Sequence, residues 1–338
     1  MRDASFSPVK ILLGSHHFFP GTGGIETVSD LLAREFAALG HEVRVITQTE
    51  GGGAFPFPVI RRPGVFELLR QVRWCDVFLQ NNISLRTLWP LLFVRRPLYI
   101  THQTWITNPD GSVGWQHRLK RFVLRFAKSI AVSGAIAEQL PVPSVRVGNP
   151  YNDEVFTNIR SLARAKELIF VGRLVSDKGV DLLFEALASL DSKPRLTIAG
   201  DGPDRARLEK QTRDLKLNAQ VDFIGNQTSS ELAKILNEHQ ILVVPSRWRE
   251  PFGIVALEGI ACGCVVVGSA DGGLREAIGP CGLTFPNNDS RALASVLAEL
   301  LSDPAQSEAL RHGAASHLAG FTRRQVASIY LDIMRSAR

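Results

Sequence analysis

Residues 241–270 read ILVVPSRWREPFGIVALEGIACGCVVVGSA. The run Ile241–Val244 is apolar and β-branched, as in a buried strand. Pro245 ends it, and a short loop follows. GIVALEGIAC, residues 253–262, is apolar at helical spacing, and CVVVGSA, 264–270, is a second buried strand. Strand, helix, strand in this order is the repeating unit of a parallel sheet with helices on its faces. Two glutamates, Glu250 and Glu258, interrupt the apolar composition. A carboxylate in such surroundings is costly unless something pairs with it. Pro251 biases Glu250 away from helical geometry, and Gly253 lets the chain turn into the helix. Glu250 is therefore expected before the helix, and Glu258 within it, one turn past Ile254 on the same face.

The same alternation extends in both directions. Upstream, ELIFVGRL, RLTIAGDG and VDFIGN read as strands, with helices GVDLLFEALASL, PDRARLEKQTRDL and SSELAKILNEH among them. The first half repeats the pattern with strands VKILLGS, HEVRVITQ, CDVFLQNN, RPLYITHQ and SIAVSG. Its helices include GGIETVSDLLAREFAALG and WQHRLKRFVLRFAK. GNPYNDEVF, residues 148–156, is rich in turn formers and marks a hinge. Two doubly wound, Rossmann-like α/β domains are expected: residues 1–148, with 322–338 packing back on them as a helix, and residues 149–321. A length of 338 residues supports two cores rather than one. In open α/β sheets, ligands sit at the carboxyl ends of strands, so the residues that follow strands carry the interest.

Composition narrows the class. Hydrophobic content of 45% against 21% charged fits a globular chain. No apolar run approaches the roughly 18 to 20 residues needed to span a bilayer. MRDASFSPVK lacks the apolar core of a signal peptide. The cysteines Cys75, Cys262, Cys264 and Cys281 form no zinc set, and buried free thiols in a reducing cytoplasm are expected.

Several strand ends offer chemistry. Gly172, Arg173 and Lys178 follow ELIFV, and a guanidinium with a lysine could close on one diphosphate. Two solvated surface cations are the plainer alternative. Gly200, in GDGP, permits close backbone approach or simply turns the strand into a helix. GTGGIE, residues 21–26, places Gly23 and Gly24 at a helix start, where free N–H groups favour an anion. It is not the dinucleotide fingerprint, because Glu26 stands where a glycine is required. The start of the helix after Gly253, from Phe252 to Val255, offers another anion site between the two glutamates. A ligand with hydroxyls at both ends and phosphates between them matches that element: a sugar nucleotide. Pairing of Glu258 with a neighbouring arginine is the alternative.

Taken in order, these segments resemble retaining glycosyltransferases of family 4, the class described as glycosyl transferases group 1, which has the GT-B fold. The resemblance rests on GGIETVSDLLAREFAALGHEVRVIT, FVGRLVSDKGVDLLFEAL, IAGDGP, VDFIG and VVPSRWREPFGIVALEGIACGCVVVGSADGGLREAI. It implies two domains facing across a cleft. It implies a catalytic set of His102, Glu250, Arg173 and Lys178. Arg173 and Lys178 would hold the donor diphosphate, beside Gly172 and Gly200. Glu258 would accept from the ribose hydroxyls. Glu250, with the backbone of Phe252, Gly253, Ile254 and Val255, would hold the transferred sugar. Gly23 and Gly24 would approach the phosphates from the first domain. His102 would lie near the sugar 6-hydroxyl, and Phe223 and Ile224 near the base. Gly259 and Cys264 stand where the family often has alanine and proline, and residues 50–120 match it little.

The implied reaction moves a hexose, with retention, from a nucleotide sugar to a saccharide or lipid-linked saccharide acceptor. A UDP-sugar is favoured and GDP-mannose comes next. No cofactor is expected, and no metal, because no Asp-x-Asp occurs in the chain. A nicotinamide dehydrogenase would need the missing glycine fingerprint, although Glu50 ends the second strand region. A sugar-nucleotide epimerase of similar fold is nearer. A silent nucleotide-sugar-binding scaffold would be expected to have lost Arg173, Lys178 or Glu258.

Charge is uneven. Residues 1–150 carry 17 Lys/Arg and 10 Asp/Glu, and residues 151–338 carry 22 and 23. Within 59–128, 12 cations face Glu67, Asp76 and Asp110, with Trp74, Trp89, Phe93, Trp105, Trp115, Phe122 and Phe126 among them. Cations and aromatic rings together suit an anionic membrane surface. A cytoplasmic protein, peripheral on the inner membrane face, is expected; an ordinary core under a solvated basic face is the alternative. No nucleic-acid motif accompanies the charge.

Overall fold

The computed structural model describes residues 7–21, 23–107, 112–159 and 161–336. The chain divides into two compact units, Met1–Pro150 with Arg323–Arg338, and Tyr151–Thr322.

The first unit holds β1 (Lys10–Ser15), β2 (Glu42–Thr47), β3 (Val59–Arg61), β4 (Val77–Asn81), β5 (Leu98–His102), β6 (Lys128–Ala131) and β7 (Ser144–Arg146). Their order is β3-β2-β1-β4-β5-β6-β7, and every pairing is parallel. The central strands are buried on both faces, which is why they read as continuous apolar runs. The helix Gly24–Ala38 follows β1 directly. The helix Arg323–Arg335 packs on it through Val326, Ala327, Tyr330 and Leu331. Tyr99 Oη donates to the Met334 carbonyl at 3.0 Å, and Tyr330 Oη lies 3.1 Å from Thr101 Oγ1. These buried bonds tie the C-terminal helix to β5.

The second unit holds β8 (Lys166–Val171), β9 (Leu196–Ala199), β10 (Val221–Gly225), β11 (His239–Val244), β12 (Val265–Ser269) and β13 (Gly282–Phe285). Their order is β10-β9-β8-β11-β12-β13, again all parallel. One core covers a face of this sheet, built on Phe170, Phe184, Leu183, Val243, Val267 and Leu297. Asp303 ends the helix Ser290–Ser302, and its side chain caps the next one, Pro304–His312.

Two segments differ from the sequence reading. The helix expected over 115–128 stops at Val123, passes through a tight turn at Leu124–Phe126, and yields to β6. β6 takes Lys128 because Ser129 and Ile130 pair with β5 and are buried there. The three-residue strands β3 and β7 are too short to show alternation. All four cysteines are free and buried.

Candidate functional site

Both sheets reverse their winding between the first and fourth strands of their unit. In the second unit that point lies between β8 and β11, and the crevice outside such a switch point is where a ligand fits. The segments leaving β8, β9 and β11 converge there.

Gly172 follows β8, and its N–H donates to Ala199 O at 3.0 Å. Gly200 follows β9 at φ +142°, and a Cβ added there would lie 1.9 Å from Gly172 O. Only glycine allows these two strand ends to touch. Leu174 N–H then donates to Asp201 O at 3.0 Å, so the two loops are fixed to each other. Arg173 stands between these anchors, exposed, and among the described residues no acid pairs with it.

A single tight turn, Ser176–Lys178, brings the chain to Gly179 at φ +65°. A Cβ on Gly179 would lie 2.0 Å from Pro245 O, so the β8 loop packs directly on the end of β11. This contact carries Lys178 to Glu250: Nζ donates to Oε1 at 2.5 Å. Ser246 Oγ donates to the same oxygen at 2.7 Å. Glu250 is 9% exposed, and its carbonyl accepts from Gly273 N–H at 2.7 Å. The carboxylate that stood unexplained in an apolar stretch is thus paired and hydrogen-bonded. Ser246 was not singled out from the sequence; a serine ending a strand carries no pattern that marks it.

Gly253, at φ +96°, opens the helix Ile254–Ala261. Its leading N–H groups, at Ile254 and Val255, have no partner within the helix. The Phe252 side chain is buried against Phe321, ring centroids 5.7 Å apart, so only its backbone faces this region. Gly259 brings the helix close to β11, where a Cβ would meet Leu242 at 2.5 Å. Cys264 Sγ lies against Leu236 O at 3.2 Å. Both departures from the family pattern therefore sit in the packing beneath the helix. Glu258, one turn in, is partly exposed, and no cation among the described residues pairs with it. Loss of water around its carboxyl pushes it up to about 7.

Phe223 and Ile224 lie on β10, two strands from β8. Phe223 packs edge-on to Phe184, and the Arg205 guanidinium lies 5.9 Å from its ring centre.

The remaining candidates belong to the first unit. Gly23 and Gly24 are exposed at the start of the helix Gly24–Ala38. The Glu26 carboxylate folds back beside them: a Cβ on Gly23 would lie 2.5 Å from Glu26 Oε2. His102 ends β5 with 1% of its surface exposed, and its Nε2 lies 3.2 Å from Ser129 Oγ. Burial pushes its ring down to about 4, so it is neutral at physiological pH. The structure thus joins Lys178, Ser246 and Glu250 by direct bonds, sets Arg173 and Glu258 on adjoining elements, and holds His102 in the other unit. Among the described residues, no group of three or more His, Cys, Asp or Glu side chains is arranged to hold a metal ion.

The family model for glycosyl transferases group 1 matches residues 153–317. D-inositol 3-phosphate glycosyltransferase 1 of Catenulispora acidiphila is 38% identical over an alignment of 317 positions that covers 84% of this chain and 76% of that protein. A glycogen synthase of Mycobacterium tuberculosis is 35% identical over an alignment of 185 positions that covers 51% of this chain and 44% of that protein. Among solved structures, Anabaena HepE in complex with UDP and glucose superposes with a TM-score of 0.82 at 20% identity, covering 97% of this chain and all of that one. WaaG, a glycosyltransferase involved in lipopolysaccharide biosynthesis, gives 0.72 at 20% identity over 94% of this chain and 99% of its own. The two parallel sheets are those of the GT-B fold. The chain belongs to the glycosyl transferases group 1 family and is a glycosyltransferase.

Proposed function

We propose that this enzyme moves a hexose from a nucleotide sugar to a saccharide or lipid-linked saccharide acceptor, with retention of anomeric configuration. The observation that carries the reading is the Lys178–Glu250 bond at the switch point of the second sheet, beside the free N–H groups at Ile254. It sets a cation, a hydroxyl acceptor and an anion-binding helix start next to one another. Arg173 and Lys178 clamp the diphosphate, where charge grows as the leaving group departs; fixed cations there lower the barrier. Gly172 and Gly200 keep the strand ends close to it. Glu250 and the backbone at Phe252–Val255 hold the sugar. Glu258 accepts from the ribose, and Phe223 and Ile224 border the base. With two cations at the diphosphate, the transfer proceeds without a metal ion.

A uridine carrier is favoured over guanosine. HepE was solved with UDP and with UDP-glucose, which supports that order. We place the enzyme on the cytoplasmic side of a membrane. The attachment we propose is peripheral; among the described residues no helix is long and apolar enough to cross a membrane. A thermal-shift panel of UDP, GDP, ADP and their sugars tests the donor. A ligand at 100 times its Kd stabilises by about 2.7 kcal/mol. UDP or a UDP-sugar is expected to give the largest shift, with nucleoside diphosphate released on turnover. No shift with any member and no release would remove the reading.

A further inference from the structure

The helix Trp115–Val123 and the turn Leu124–Phe126 contain one deeply buried side chain, Leu124, 1% exposed. A surface helix ordinarily turns its polar side away from the core. Here Trp115, Leu119, Phe122 and Phe126 repeat at i, i+4, i+7 and i+11, and they are 72%, 43%, 52% and 71% exposed. Trp115 lies about half a turn around the helix axis from Leu124, so the apolar stripe faces away from the core. Phe122 and Phe126 pack edge-on, with ring centroids 5.6 Å apart, and reinforce the stripe instead of burying it.

Two further segments of the same unit carry exposed rings. Phe66 is 89% exposed at the start of the helix Val65–Trp74, and Phe93 is 74% exposed just after the turn Trp89–Leu92. Leu68, Val72, Leu88 and Leu124 share one core cluster, so these segments cover the same face of the first sheet. In the second unit, by contrast, Leu162 is the one exposed large apolar side chain among the described residues. Scattered apolar side chains are ordinary on a surface, whereas a contiguous patch marks a partner.

The charge around the stripe identifies that partner. Arg118 and Arg125, both exposed, recur along one flank of the stripe, and no acidic side chain among the described residues pairs with either; Lys120 and Arg121 are half-buried and turn toward the core side. The Arg125 guanidinium lies 5.7 Å from the Phe122 ring centre. A second copy of this chain would bring like charges together. A surface that is apolar and aromatic along its middle and cationic along one flank fits a bilayer with anionic headgroups.

We propose that this face is the membrane-docking surface of the enzyme: Trp115, Leu119, Phe122 and Phe126 enter the headgroup region of an anionic bilayer, and Arg118 and Arg125 bind its phosphates. The choice of a lipid-linked saccharide as acceptor rests in addition on the transfer reading above; the docking itself does not. The test is co-sedimentation of the full chain with phosphatidylcholine vesicles, with and without phosphatidylglycerol, at low and physiological salt. Binding is expected only with phosphatidylglycerol, weakening as salt rises, with a blue shift of tryptophan emission that Trp115→Phe removes. Each surface cation strengthens such binding about fivefold. Replacing Arg118 and Arg125 together with Gln is therefore expected to weaken it on the order of 25-fold. Replacing Trp115, Phe122 and Phe126 with Ser is expected to abolish it even at low salt. Because Arg118, Arg125, Trp115, Phe122 and Phe126 are exposed, both variants are expected to keep the wild-type Tm and UDP affinity. Absence of binding to anionic vesicles at low salt would overturn the proposal. So would binding that neither variant weakens, or an acidic protein or second copy held by this face in place of vesicles. Vesicle binding in a chain that takes no nucleotide would instead overturn the transfer reading and leave the surface standing.

Discussion

Lys178 Nζ lies 2.5 Å from Glu250 Oε1, although 72 residues of chain separate them. The pair exists because β8 and β11 are neighbours and the two intervening strands lie on the far side of β8. Glu250 is the more buried partner, and Ser246 fills another hydrogen-bonding position on the same oxygen. Lys178→Ala is expected to lower kcat/KM by about 30- to 1,000-fold, the loss of one preorganised charge. It also strands a mostly buried carboxylate, so Tm falls as well. Adding Glu250→Gln to Lys178→Ala is expected to restore much of the Tm and none of the activity. Restored activity in the double variant would assign the pair to stability alone.

Arg173 gives the opposite pattern. It is exposed, with no acid paired to it among the described residues. Arg173→Ala is expected to cost about 2–4 kcal/mol in kcat/KM with no change in Tm. Less than threefold loss of kcat/KM, measured beside an unchanged melting curve, would take Arg173 out of the site.

Glu258 makes nucleotide binding depend on pH. Its carboxyl is raised from 4.5 to about 7 by desolvation. A group raised in the folded state stabilises fully below its unfolded value, and that contribution is lost as pH rises through the folded value. Glu258→Gln is therefore expected to raise Tm above pH 7 and leave it unchanged near pH 4.5. Ribose hydroxyls select the ionised form, so nucleotide affinity in the wild type rises between pH 6 and 8 and binding releases protons. Calorimetry in buffers of different ionisation enthalpy counts them. Equal proton release by wild type and Glu258→Gln would rule out this contact.

His102 titrates in the opposite sense. Burial lowers it from 6.5 to about 4, so its stabilisation is present above 6.5 and lost as pH falls through 4. A pH–rate profile between 6 and 8 is expected to contain no limb that His102→Gln removes. His102→Ala is expected to lower Tm, because it opens a cavity at the end of β5 and leaves Ser129 without this partner. An activity limb near pH 6.5 that vanishes in His102→Gln would contradict the neutral, buried ring.

The long strands and the Glu250–Glu258 element were legible because their cause is local. β1, β4, β8 and β11 are buried on both faces and read as unbroken apolar runs, and Pro251 and Gly253 set the entry to the helix in two residues. The helix Val65–Trp74 escaped notice because Val65 and Phe66 are exposed and blur the apolar period. Strand order was not legible. Nothing in the sequence near Lys178 states that β8 pairs with β11 and not only with β9, so the bond to Glu250 came from topology. Nor did the sequence distinguish core from surface among the aromatic residues of 59–128. Trp74 and Trp89 pack against the core cluster, whereas Trp115 and Phe126 face away from it.

The central claim is that a nucleoside diphosphate sugar is held where β8 and β11 end. Titration calorimetry of UDP and UDP-glucose against the full chain and against the Arg173→Ala, Lys178→Ala double variant tests it most directly. The account predicts saturable one-to-one binding to the wild type and a loss of at least 30-fold in the variant, with GDP-mannose as the next ligand to show this pattern. Undiminished binding of a nucleotide by the double variant, or no binding of any nucleoside diphosphate to the wild type, would contradict it.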